Sequence, residues 1–171
     1  MSFLSRLLGT EPDPKEQLRP LWHRVIELAR EKHWYLSGGV RDSLEGRFDM
    51  ITAVLAVALL RMEQEEELIA PSVRLTELFV EDMDGQMRQS GVGDLVVGKH
   101  MGKLVSTMGG RLGAYRTGLA EGQNALIEAV RRNATLADGH DGAVIARGLR
   151  SLADRFARTD GAALLAGEIA A

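Results

Sequence analysis

The stretch that most limits how this chain can fold is Phe48 to Met62, FDMITAVLAVALLRM, which is rich in alanine and apolar on nearly every side of a helix. A surface helix carries a polar face, so a segment of this kind has to be covered all round, as the middle helix of a bundle is. Its longest uncharged run, Met50 to Leu60, is far short of the roughly 20 residues that span a bilayer. The covering helices must come from the rest of the chain.

The 171 residues suffice for one domain with one continuous core, in a size range where neither disulfides nor metal are needed. There is no cysteine, which removes disulfides, thiolate metal sites and thiol chemistry and fits a reducing compartment. With 21 basic and 24 acidic residues the formal net charge is -3, too balanced for a dedicated polyanion binder, so nucleic acid is not an expected partner. The opening MSFLSRLLG sets Phe3, Leu4, Leu7 and Leu8 at helical spacing without the long apolar core or cleavage site of a secretory signal. Residues 1–12 therefore read as a short amphipathic segment and linker, folded back on the domain or resting on a membrane surface, and residues 13–171 as the helical domain.

After Asp13-Pro14, which suit a cap and a first helical position, Leu18, Leu21, Trp22, Val25, Ile26 and Leu28 keep the spacing of an amphipathic helix that ends at Trp34-Tyr35. His23, Glu27 and Glu31 recur at steps of four, as metal ligands on one face would, but no second ligand cluster accompanies them and they read as a solvated face. Ser37-Gly38-Gly39 is a break, and Asp42 or Ser43 opens the central helix with Glu45 set for a capping box. Glu63, Glu65, Glu66 and Glu67 read as a solvated helix end, Pro71-Ser72 as a restart, and Leu75, Leu78, Phe79, Met83 and Met87 as the buried stripe of the next helix. Further helices are predicted from Leu95 to Arg116, from Glu121 after a break near Gly118, and around the stripe Ile145, Ala146, Leu149, Leu152, Ala153 and Phe156. No segment alternates with period two for long enough to make a strand. The expected fold is an all-α, single-domain bundle of about six to seven helices.

Ser90-Gly91-Val92-Gly93-Asp94 ends one helix with glycine and starts the next with Asp94 as its cap. With no preceding strand and no later Gly-Lys-Ser/Thr, it is not a phosphate loop. In the helix that follows, Val97, Met101, Leu104, Val105, Met108, Leu112 and Tyr115 form the predicted buried stripe, and Gly98, Gly102, Gly109 and Gly113 fall within about 60° of one another beside it. Each glycine costs a helix about 1 kcal/mol relative to alanine. A smooth groove that lets another backbone approach closely would offset that cost. Its occupant is either another helix of the same domain or a partner, with Lys99 and Lys103 beyond the groove on its far side. The candidate partner-binding residues are Gly98, Lys99, Gly102, Lys103, Gly109 and Gly113.

Phe79, the Asp82-x-Asp84 pair and Met87-Arg88, then Gly91-Val92-Gly93-Asp94-Leu95-x-Val97-x-Lys99, and finally Gly110-Arg111-Leu112-x-Ala114-Tyr115 form a connected pattern, with Gly46-Arg47-Phe48-Asp49 ahead of it. This pattern resembles the signature of the ubiquinol-cytochrome c chaperone family, and the resemblance is strongest over residues 34–120. The matching positions are Gly46, Arg47, Phe48, Asp82, Asp84, Arg88, Gly91, Gly93, Asp94, Leu95, Lys99, Arg111 and Tyr115. The resemblance implies an all-helical, non-enzymatic assembly factor for the ubiquinol-cytochrome c reductase complex, with no cofactor and no catalytic residues. Its implied client is newly made cytochrome b or another reductase subunit. A small partner protein and the ribosome take part in the mitochondrial members. A bacterial member is expected in the cytoplasm, peripheral at the inner face of the plasma membrane.

Two readings stand beside this one. A generic helical interaction module with an unrelated partner fits the same helices. A metal carrier built on Asp82 and Asp84 fits poorly, because carboxylates two apart on a helix point about 200° away from each other. Haem capture by His100 and Met101 fails similarly, since adjacent side chains face different ways.

Overall fold

A computed structural model of the chain describes residues 13–89 and 94–170, with side chains at all of these except 87–89 and 94–101. The Met1–Leu8 segment, Gly91, Gly93 and the side chains of Met87, Arg88, Asp94, Leu95, Val97, Lys99 and Met101 lie outside the described residues, as does the setting of Gly98. A 3-10 turn, Glu16–Leu18, leads into α1 (Arg19–Ala29), followed by α2 (Lys32–Leu36), α3 (Leu44–Met62), α4 (Glu66–Gln89), α5 (Asp94–Glu121), α6 (Gln123–Asn133), α7 (Ala143–Arg158) and α8 (Gly161–Leu165). The chain is a single all-helical domain; its only described extended pairing is an isolated antiparallel bridge between Val40 and Leu136.

The segment that must be covered all round is covered all round. Every residue from Met50 to Leu59 is buried, and α1, α4, α5 and α7 pack around α3. Each fully buried aliphatic side chain contributes about 1.5–3 kcal/mol, so this helix anchors the core. From α1 come Leu21, Trp22, Val25 and Leu28; Trp22 meets Phe79 of α4 edge to face with ring centroids 6.0 Å apart. Arginines close helix ends against this core. Arg61 donates to the carbonyls of Phe156 (3.1 Å) and Thr159 (3.0 Å), and Arg150 to those of Leu119 (2.5 Å) and Gly118 (3.1 Å). The last carbonyls of a helix lack i+4 amides, and these guanidiniums supply donors there.

The structure corrects the reading of several boundaries. Pro71 does not restart the chain but sits inside α4, whose first turn holds Glu66 and Glu67. Carboxylates suit the positive end of a helix, and a proline in the second turn leaves only one carbonyl without its amide. The first helix stops at Ala29, not at Trp34-Tyr35: Glu31 is extended, and α2 tucks back so that Trp34 Nε1 donates to the Leu28 carbonyl at 2.7 Å. Ser43 caps α3 through the Gly46 amide at 3.2 Å, which places Glu45 one position short of a capping box. The break after α5 falls at Gly122, with φ 108°, and not at Gly118. Gly118 stays helical because α6 presses on it; a Cβ there would lie 2.8 Å from the Leu126 Cα. Val105, expected in the buried stripe of α5, is 50 % exposed, whereas Met108 and Tyr115 are buried and Leu104 and Leu112 half-buried.

Tyr115 is among the most buried side chains, at 1 % exposure, and burial is the main cause that raises its phenol above the ordinary value of 10.0, with Asp49 adding to the rise and Arg111 opposing it. The unfolded chain gives up this proton first, so stability is fully present below about pH 10 and falls as the pH rises past it. Denaturant titrations should show the wild type losing stability more steeply above that pH than Tyr115→Phe. Parallel curves for the two would contradict the assignment.

Candidate functional site

Two of the motif segments meet in the core. The carboxylate of Asp49, 5 % exposed on α3, receives Arg111 Nη2 of α5 at 2.6 Å on one oxygen. On the other oxygen it receives the Thr135 amide at 2.8 Å and the Thr135 hydroxyl at 2.7 Å, from the strand-like segment after α6. Arg111 Nη1 donates to Thr52 Oγ1 at 2.5 Å, while that hydroxyl donates to the Asp49 backbone carbonyl at 2.9 Å. The Arg111 guanidinium also stands 5.1 Å from the centre of the Phe48 ring. Both oxygens of the Asp49 carboxylate are met by donors and one of them by a counter-charge, which is the condition for keeping a charge in a core.

Gly46 and Tyr115 complete this constellation as packing residues. A Cβ on Gly46 would stand 2.0 Å from the Arg41 carbonyl, so the chain crosses its own helix start there. Arg47, by contrast, is exposed and pairs with Asp42 at 2.7 Å. Asp49 and Arg111 therefore fix α3 to α5, and Asp49 also fixes α3 to the segment around Thr135. Reading the sequence missed Thr52 and Thr135. The signal for them was Asp49 itself, a carboxylate near the start of an otherwise apolar helix that had to find donors on every side.

The glycine stripe sits elsewhere and is open. Cβ atoms built on Gly102, Gly109 and Gly113 meet no described atom within 4 Å, and no described helix of the domain lies in the groove. Viewed down α5, Gly102, Val105, Ser106, Gly109, Gly113, Arg116, Thr117 and Ala120 share one side, within about 60° of its midline. All of them are exposed except the half-buried Gly113. The side runs about 27 Å along the helix. Lys103 is exposed on its flank, and Arg116 is held by both oxygens of Glu63, at 2.8 and 2.7 Å. Near Ala120 the side opens on a groove of about 490 Å³ between α3, α5 and α7, floored by Val57, Leu60, Leu119 and Ala153.

Asp82 and Asp84 diverge as their spacing predicts, Asp82 exposed and Asp84 half-buried. Asp82 lines a second groove, between α1 and α4. Among the described residues no group of three or more His, Asp or Glu side chains is placed to hold a metal ion.

Two measurements test these assignments. Asp49→Asn should cost about 3 kcal/mol by leaving Arg111 buried without its counter-charge, and adding Arg111→Met should return part of that loss in a double-mutant cycle. Gly109→Ala should raise stability by up to about 1 kcal/mol, since the new methyl meets nothing and alanine favours helix. Gly118→Ala should lower stability because its methyl strikes the α6 backbone. Thermal midpoints that moved the same way for both glycines would refute the open face.

The model of the ubiquinol-cytochrome C chaperone family matches residues 37–171, which takes in both halves of the Asp49–Arg111 pair and the whole of α5. A crystal structure of the Cbp3 homolog from Brucella abortus is similar at a TM-score of 0.81 and 28 % identity, over 99 % of this chain and 96 % of that one. No curated protein matches the chain significantly. With its fold, its core and more than three quarters of its length accounted for in this way, the chain belongs to the ubiquinol-cytochrome c chaperone family.

Proposed function

We propose that this protein holds a newly made subunit of the ubiquinol-cytochrome c reductase, cytochrome b foremost, against the glycine side of α5 until the subunit joins the complex. Family membership makes it a chaperone of that assembly, a role carried out by binding. The observation that carries the finer reading is the open side of α5, a long face of small residues that nothing in the described domain covers. Glycine and serine let a second helix approach to backbone contact, the packing used between helices inside membranes. They also leave little apolar area in water, so an unoccupied chaperone avoids the large greasy patch that drives self-association.

In this reading Gly102, Gly109 and Gly113, with Gly98 continuing the line, receive an apolar helix of the client, and Lys99 and Lys103 lie beside it near lipid headgroups or acidic residues of the client. No described helix is long and apolar enough to cross a membrane. The protein would then work from the cytoplasm, peripheral at the inner face of the plasma membrane, where cytochrome b inserts.

Replacing Gly102 and Gly109 together with leucine would fill the face without touching the core. The expected outcome is at least a severalfold drop in mature reductase complex, with the circular dichroism of the purified protein preserved and its thermal midpoint no lower than that of wild type. Normal complex levels in that variant would remove the glycine side from the mechanism. Affinity capture from growing cells supplies the second test: the reading requires cytochrome b or another reductase subunit in the eluate, and the same eluate shows whether ribosomal proteins or a small partner accompany it.

A further inference from the structure

The groove between α1 and α4 has a volume of about 570 Å³ and a charge pattern unlike that of the α5 face. The half-buried Ile26, with the outer edges of the core residues Trp22 and Leu78, forms its apolar side, and Glu27, Glu81 and Asp82 stand around them with Arg19 and His23. Some of these charges are already paired: Lys15 reaches Glu81 and lies 3.9 Å from Glu77, Arg24 meets Glu27 at 3.0 Å, and Arg19 meets Glu16 at 2.5 Å. Taking the groove with these partners, five carboxylates face three cations.

Asp82 stands apart within this set. It is exposed, accepts a hydrogen bond from Gln86 Nε2 at 3.2 Å, and among the described residues no cation is within ion-pair distance of it. Phe48, Asp49, Arg111 and Tyr115 are used up by the core, and Arg47 by Asp42. Asp82 is a motif residue that the architecture of the described domain does not consume.

We infer that this groove takes a lysine- and arginine-rich amphipathic segment of the client, its bases on Asp82, Glu27 and Glu81 and its apolar residues on Trp22, Ile26 and Leu78. The inference rests on the reading of a membrane-protein client met from the cytoplasmic side. Short loops and helix ends of membrane proteins on that side carry an excess of lysine and arginine. An apolar floor with an acidic rim is complementary to such a segment when it lies down as an amphipathic helix. Opposite charge on the two surfaces speeds the encounter and selects the partner. The client would thus be gripped in two places of different chemistry, an apolar span on α5 and its basic flank between α1 and α4.

The test uses the full chain in cells with a photoreactive amino acid in place of the exposed His23, the captured peptide being identified by mass spectrometry. Crosslinks to a lysine- and arginine-rich cytoplasmic segment of a reductase subunit support the inference. Crosslinks confined to an apolar span, an acidic segment or lipid overturn it. In parallel, the purified Glu27→Lys, Asp82→Lys double variant is compared with wild type for binding a labelled helical peptide with lysine on one face and leucine on the other. At least tenfold weaker binding is expected, with wild-type affinity falling as salt is raised. An unchanged affinity, or equal affinity for the same peptide with glutamate in place of lysine, overturns the inference. Both substituted residues are exposed, and a preserved thermal midpoint shows that the variant is folded. If wild type and this variant recover reductase subunits from cells equally while the Gly102, Gly109 leucine variant does not, the groove assignment falls and the client reading stands. If wild type recovers none, the client reading falls and the groove assignment with it.

Discussion

One charge in the wrong place organises this molecule. A helix apolar on all sides can be walled in by many arrangements of neighbours, because hydrophobic burial is non-directional. Asp49 ends that freedom. It sits near the start of α3 and is nearly as buried as the leucines after it, so each of its oxygens must be met by a donor at the right distance. Arg111 on α5 and Thr135 beyond α6 can do so in a single register. The apolar helix supplies most of the stabilising energy, and the carboxylate decides which neighbours stand where.

The general plan was legible in the sequence for the same reason. A segment with no polar face allows few architectures, and the three-and-four spacing of Leu75, Leu78, Phe79 and Met83 leaves their burial in little doubt. Boundaries were less legible because they depend on partners distant in sequence. Gly118 looks like a helix stop until α6 is seen lying on it, and Pro71 looks like a restart until the first turn of α4 is found upstream of it. Val105 has the spacing of a core residue, but no neighbour extends far enough to cover it. Of the candidate site, the open glycine side could be drawn from helical geometry alone, although its occupancy could not. The acidic groove could not be drawn at all, since it exists only when α1 is laid against α4.

The residues singled out in the sequence divide into two kinds once the fold is in hand. Phe48, Asp49, Arg111 and Tyr115 belong to the interior, where a change would be felt as lost stability. Asp82 belongs to the exterior, as do Gly102 and Gly109 of α5, where a change would leave the fold intact. The described surface offers two faces of contrasting character, the small-residue side of α5 and the acidic groove between α1 and α4.

The polar anchors of α5 have a mechanical consequence. Arg111 is tied to α3, Arg116 to Glu63, and the carbonyls of Gly118 and Leu119 to Arg150 of α7, all in the second half of the helix. The first half carries no comparable tie among its described residues. Among the described residues the nearest such tie to Gly102 is Arg111, about 14 Å along the helix axis. Any load put on the described part of α5 ahead of Arg111 is therefore passed to the Arg111–Asp49 pair, where the fold is most particular about its geometry.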